Sequence, residues 1–214
     1  MDEDISIINS NTRNEKIKNF FVNNKKTLIL TLTSIIFIVI FYFGYSEIQG
    51  NKNKSLALKY NNTIIKFDPL NKSNVKNDLI DIIYEKNPTY SPLALYFIID
   101  NEIQTSNDEI NNYFDVLINE TDIDQEAKNL IIYKKGLFNS DFESENNLIA
   151  ILNPIIKSDS VWKSHALYLI AEYFMDKNQK QKAKEFYNQI LDNKKSNENI
   201  LSETKKRLSR DFSE

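Results

Sequence analysis

The sequence predicts an all-α protein: a single N-terminal transmembrane helix followed by an α-solenoid of helical hairpins. Three observations carry this. Residues 27–46 read TLILTLTSIIFIVIFYFGYS, twenty residues without a charge. The remainder shows helical apolar spacing broken by short polar segments, with capping signals at several breaks. No alternating apolar–polar runs bounded by hairpin turns are present.

The uncharged stretch, Thr27 to Ser46, rises roughly 30 Å as a helix, the thickness of a bilayer core. Its only polar groups are hydroxyls. Thr and Ser bond back to their own helix and are tolerated in lipid. Tyr42 and Tyr45 sit near the far end, where aromatic rings favour the interface. The run exceeds the roughly 7–15 apolar residues of a signal peptide, and no small-residue cleavage site follows it. An uncleaved anchor is the expectation. Five basic residues lie in 7–26 and four in 47–66. Lys25 and Lys26 adjoin the span, whereas the first Lys beyond it is Lys52. This bias places the N-terminus in the cytoplasm and the C-terminus outside.

The 26 residues before the span form a tail. Residues 1–12 are acidic, then Asn- and Ser-rich, and are expected to lack structure. In 14–24, Ile17, Phe20 and Phe21 share helical spacing among Lys16, Lys18 and Lys25. Two readings stand: a short amphipathic helix on the inner membrane face, or the first turns of the spanning helix.

Past the span, residues 47–90 are expected as juxtamembrane helices and 91–214 as the repeat domain. Helical patterns cover Ser55–Phe67 and Val75–Tyr84. Ser91 as N-cap with Pro92 at the first helical position opens Leu93–Ile103. Ser106 with Glu109 spells a capping box opening Ile110–Ile118. Gln125–Leu137, Phe142–Ile156, Val161–Met175, Gln179–Leu191 and Ile200–Leu208 follow, with Pro154 expected to end or kink its helix. Loops of a few residues suit stacked hairpins.

Stacked hairpins imply repeats, here of 34 residues. With Ser164 as position 1, Leu167 falls at 4, Ile170 at 7, Ala171 at 8, Phe174 at 11, Ala183 at 20 and Tyr187 at 24. The tetratricopeptide (TPR) pattern asks for large, large, small, aromatic, small and aromatic residues there. Small residues let the two helices of a hairpin approach; large ones fill the groove to the next hairpin. Position 27 is Ile190, where a small residue is usual. From Ser91 the same template gives a weaker match, with Ile98 and Ile110 in the small slots. The pair 125–156 fits only with an insertion. The expected architecture is therefore TPR-like, with one good repeat, one degraded repeat and one irregular hairpin.

Composition excludes much chemistry. The chain has no Cys, one His (His165) and three Gly, so thiolate sites, His clusters and glycine-rich phosphate loops are absent. Ile, Asn and Lys number 30, 29 and 24, a bias that A/T-rich codons produce. The N-x-[ST] matches at Asn61, Asn71 and Asn119 follow from that bias by chance. A net charge of −3 with interspersed signs argues against nucleic-acid binding. His165, beside Ser160 and Ser164, lacks an orienting carboxylate and an oxyanion site. The acidic clusters Asp108–Glu109 and Glu120–Glu126 read as solvated helix starts. Lys205, Lys206, Arg207 and Arg210 read as a solvated helix end. Trp162, Tyr96, Phe114, Tyr133, Tyr168, Tyr173 and Tyr187 read as core.

The order of parts also resembles a family. A charged tail with KIKNFFVNNKK precedes one span. A helix with LALKYNNTI follows, and then come NPTYSPLALYFIIDNEI and ILNPIIKSDSVWKSHALYLIAEYFMDKNQKQKAKEFYNQIL. This is similar to the YfgM-like family, the ancillary subunit of the bacterial Sec translocon, from about Asn14 to Leu208. The departures, Ile in the small slots and the insertion, bear on repeat number. The resemblance implies a non-catalytic accessory of protein export without cofactor or small-molecule substrate. It also implies an inner-membrane anchor, a cytoplasmic N-terminus and a periplasmic repeat domain. The implied partners are Sec translocon subunits, periplasmic chaperones or exported chains. The alternative from the same architecture is an envelope or cell-division scaffold. Reversed topology would make the chain a cytoplasmic adaptor.

Overall fold

The computed structural model describes residues 15–212; the acidic start 1–12, expected to lack structure, lies outside them. Every regular element among the described residues is helical, and none is a strand. Residues 15–23 form α1, a turn falls at Asn24, and α2 runs over Lys25–Ile65. Hydrogen bonds continue across the turn. The Asn24 N–H donates to Phe20 O at 3.0 Å and the Leu28 N–H to Asn24 O at 2.9 Å. Residues 15–23 thus run on as turns leading into the long helix. Within α2, Thr31 Oγ donates to Thr27 O and Thr33 Oγ to Ile29 O, each at 2.9 Å, as hydroxyls do in apolar surroundings. Among the described residues, α2 is the one helix long and apolar enough to cross a membrane, and its apolar window buries nothing. Thr27 and Ser46 both lie inside this helix, which runs nineteen residues past Ser46 without a break.

The chain divides into two compact units between Ser55 and Leu56. The second holds the end of α2, a 3₁₀ turn Lys72–Val75, and α3 (Lys76–Tyr84), α4 (Tyr90–Asp100) and α5 (Asn107–Asn119). It continues through α6 (Gln125–Asn139), α7 (Glu145–Ile156), α8 (Lys163–Asp176), α9 (Lys180–Asp192) and α10 (Glu198–Asp211). Residues 56–90 fall in the same compact unit as the helices that follow them. From α3 onward each helix packs on the next, and α3 also meets α5, α6 meets α8, and α8 meets α10.

Local chemistry explains most boundaries. The Ser106 hydroxyl accepts from Glu109 N–H while the Glu109 carboxylate accepts from Ser106 N–H, completing the capping box of α5. Asp124, Ser144 and Asn197 cap α6, α7 and α10. Capping by Ser144 starts α7 three residues later than the apolar pattern from Phe142 implies. α4 departs from expectation at its start. Asn87 Oδ1 accepts from Thr89 and Tyr90 N–H, both at 3.0 Å, so the helix begins at Tyr90. Ser91 consequently lies inside the first turn, where its hydroxyl accepts from Asn87 N–H at 2.8 Å and donates to Ile82 O at 2.7 Å. α7 runs through Pro154 and stops two residues later, because only the bond to the carbonyl four residues back is lost.

α4 and α8 end alike. The Ile103 N–H reaches Ile98 O and the Glu102 N–H reaches Ile99 O, each at 3.0 Å; Gln179 and Asn178 repeat the pattern on Phe174 and Met175. Glu102 (φ 50°) and Asn178 (φ 57°) hold the left-handed position of these caps.

Two hydrophobic cores result. One gathers Leu56, Val75, Leu79, Ile82, Ile83, Leu95, Ile98, Phe114, Leu117 and their neighbours, with Ile131. The other gathers Ile132, Leu148, Leu152, Ile155, Leu167, Ile170, Phe174, Tyr187 and Ile190. Adjacent residues of α6 face different cores.

Candidate interaction face

Leu167, Ile170, Ala171, Phe174, Ala183 and Tyr187 come together in the second core, each at most 1% exposed. Between Ala171 and Ala183, α8 and α9 form the most intimate helix pair of the domain. In the preceding pair a close approach is made at Gly136. A Cβ there would lie 2.5 Å from Leu152 Cδ2 and 2.9 Å from its Cγ, so α6 and α7 approach only because α6 carries no side chain at that place.

Around this core runs a polar network that links three helices. Tyr187 of α9 donates to Glu172 of α8, and Arg207 of α10 donates to the other Glu172 oxygen. Burial, reinforced by the Glu172 contact, pushes the Tyr187 phenol far above its ordinary range. Arg207, which also hydrogen-bonds Tyr168, is held more firmly cationic than a free guanidinium. This corrects the reading of 205–210 as a solvated end: Arg207 is two-thirds buried and fastens α10, although Lys206 and Arg210 are exposed. No local pattern signals this pair, since the partners lie 35 residues apart.

His165 sits half-buried against aromatic rings. The Trp162 ring stacks on Tyr133 at 5.8 Å, and His165 meets Tyr133 edge-on at 5.9 Å. Burial lowers the His165 pKa and raises that of Tyr133. The Ser160 hydroxyl donates to Glu126 at 2.8 Å, and the Ser164 hydroxyl accepts from Asn197 N–H at 3.2 Å. Neither serine is directed at the imidazole. Among the described residues no three His, Asp or Glu side chains gather as a metal site.

No family model, curated protein or solved structure matches this chain.

The contact between α5 and α6 joins polar pairs to an apolar one, Phe114 on Phe138 at 6.1 Å. Asn111 and Asn139 exchange side-chain amide hydrogen bonds of 2.9 and 2.8 Å, and Lys135 pairs with Asp115 at 2.8 Å. Asn139 is fully buried, and its amide also donates to Lys135 O at 2.7 Å. On another side of α6 a cleft of about 140 Å³ opens towards α4. Its walls are Tyr96, Ile99, Phe114, Leu137 and Phe138. Lys134 Nζ lies 4.3 Å from the Tyr96 ring centre, and burial pushes the Tyr96 phenol well above its usual range. Of the aromatic residues expected in the core, Phe114 and Tyr187 are fully buried. Tyr96, Tyr133, Trp162, Tyr168 and Tyr173 are half-buried and line surfaces.

Proposed function

We propose that this chain is a single-pass, membrane-anchored adaptor whose TPR-like helical domain makes protein–protein contacts and performs no catalysis of its own. The observation that carries the reading is a register shared by three hairpins. The second helix starts sixteen residues after Ser91, after Asn129 and after Ser164, at Asn107, Glu145 and Lys180. Counted from those residues, position 8 holds Ile98, Gly136 and Ala171, position 24 holds Phe114, Leu152 and Tyr187, and position 27 holds Leu117, Ile155 and Ile190. All nine are buried. On this register the middle hairpin has no internal insertion; its extra residues precede Asn129 and form the first turn of α6, which starts at Gln125. Stacked hairpins of this kind bury a continuous core and leave extended surfaces for partners.

The resemblance to the YfgM-like family supplies the partner class. The anchor spans a bacterial inner membrane with the N-terminus cytoplasmic and the domain periplasmic. There the domain contacts Sec translocon subunits, and chaperones or exported chains. It uses no cofactor and binds no nucleic acid. The test is C-terminal protease accessibility in spheroplasts, followed by crosslinking and mass spectrometry of the full chain. Accessibility with channel subunits among the crosslinks is expected. A protected C-terminus overturns the periplasmic placement. Accessibility with only division or envelope proteins overturns the export role in favour of a scaffold.

A further inference from the structure

The cleft between α4 and α6 lies beside a hairpin that departs from the α8/α9 pattern. Where the α8/α9 hairpin has Ala171 and Ala183, the α4/α5 hairpin has Ile98 and Ile110, all four buried. α6 packs directly on α8, but it meets α4 through Lys134 laid on Tyr96, and the space between them is left open. At about 140 Å³ the cleft is smaller than the roughly 300–1,000 Å³ of small-molecule sites. It matches the roughly 150 Å³ that accepts one benzene-sized group. Phe142, exposed, packs edge-on to Phe138 at 5.3 Å and extends the apolar surface outward.

Charge at the mouth sets what lies beside that group. Asp100 lines the cleft in the last turn of α4, exposed and without an ion pair among the described residues. Glu102 lines the adjoining hollow, which shares Ile99 and Phe138 with the cleft, and it pairs with Lys72 at 3.7 Å. Both carboxylates stand at the negative end of the α4 dipole. Lys134, the one cation on the cleft wall, is turned onto the Tyr96 ring.

We infer that this cleft binds an extended peptide segment. It seats one Leu- or Phe-sized side chain between Tyr96, Leu137 and Phe138 and sets a neighbouring Lys or Arg against Asp100. The inference rests on the adaptor reading and gives that adaptor a specificity: apolar residues next to basic ones.

The test uses the full chain in detergent and three fluorescent ten-residue peptides built on Gly and Ser. One has a central Phe-Lys-Leu-Arg. In the second, Glu replaces Lys and Arg; in the third, Ser replaces Phe and Leu. Fluorescence anisotropy is expected to show binding of the first at least tenfold tighter than of either other. Leu137→Glu and Asp100→Lys should each weaken it fivefold or more, and Asp100→Lys should improve binding of the Glu peptide. Both side chains are exposed enough that folding is retained, which circular dichroism checks. Equal affinity for the three peptides overturns the inference, as does binding that both variants leave unchanged. Crosslinking of the Leu137→Glu chain in cells separates the two levels. Partners retained while peptide binding is absent in the wild type sink the cleft and leave the adaptor; partners absent from the wild type sink the adaptor itself.

Discussion

Gly136 shows how much a single missing atom decides. Ala at this mid-helix place gains about 1 kcal/mol in helix propensity. Its Cβ would also enter the space of Leu152, which is fully buried among its neighbours. Overpacking of this kind costs about 1–3 kcal/mol, so the clash wins. Gly136→Ala should lower the melting temperature of the full chain in detergent, and adding Leu152→Ala should recover less than the new cavity takes away. An unchanged melt for Gly136→Ala would mean that α6 and α7 separate freely. Tyr187 makes a second point through its proton. Its folded-state pKa is raised, chiefly by burial and then by Glu172, whereas an unfolded tyrosine releases its proton near pH 10. The stabilisation is complete below that pH and is lost as pH rises above it towards the folded value. Melting temperature should therefore fall between pH 9 and 11, and Tyr187→Phe should flatten that fall. Parallel curves for the two proteins would refute a role for this phenol.

Helices are terminated here by chemistry that is partly visible in sequence and partly not. Glu102 holds a left-handed φ of 50° at the end of α4, a conformation that costs a non-glycine residue about 1–2 kcal/mol. Glu102→Gly should raise stability by up to about 1 kcal/mol, after the greater chain entropy of glycine is allowed for. Glu102→Ala, which also removes the charge, should not. Urea titration of both variants decides it. A gain in both would assign the effect to charge instead of backbone. The same element displays what the residues reveal in advance. Ser106 and Glu109 announce α5 because a capping box is local, satisfied within four residues. Ser91–Pro92 misleads by two residues because Asn87, outside the expected helix, supplies the acceptor that starts α4 early. The burial of Leu167 and Ala183 is legible because it follows helical spacing. The Glu172–Arg207 pair, the Asn111–Asn139 exchange and the α4–α6 cleft are not. Each joins helices whose facing depends on the packing of everything between them. The close approach at Gly136 is not legible either: all three glycines lie in helices, and Gly44 and Gly50 meet no neighbour.

At the scale of the whole second unit, α6 is the element on which two cores meet. Ile131 belongs to one and Ile132 to the other, and Ile118 is the half-buried residue that touches both. Across the α5–α6 boundary amide and ion pairs stand among apolar contacts such as Phe114 on Phe138, and the polar pairs transmit less packing energy than apolar layers do. Stacked helical units of this type unfold by groups, with nearest-neighbour coupling setting how far an opening spreads. Leu79→Ala in α3 and Ile170→Ala in α8 each remove a fully buried side chain at a cost of about 2–5 kcal/mol. Hydrogen exchange should then report a partition. Leu79→Ala should speed exchange in α3, α4 and α5 and leave α8 and α9 protected. Ile170→Ala should do the reverse, and α6 should respond to both. Equal acceleration everywhere in either variant would show that the polar boundary couples the halves into one cooperative unit. Partition would instead mark α5–α6 as the place where the domain yields first, beside the α4–α6 cleft. Occupation of that cleft by a peptide that touches both α4 and α6 should then slow exchange on both sides of the boundary at once.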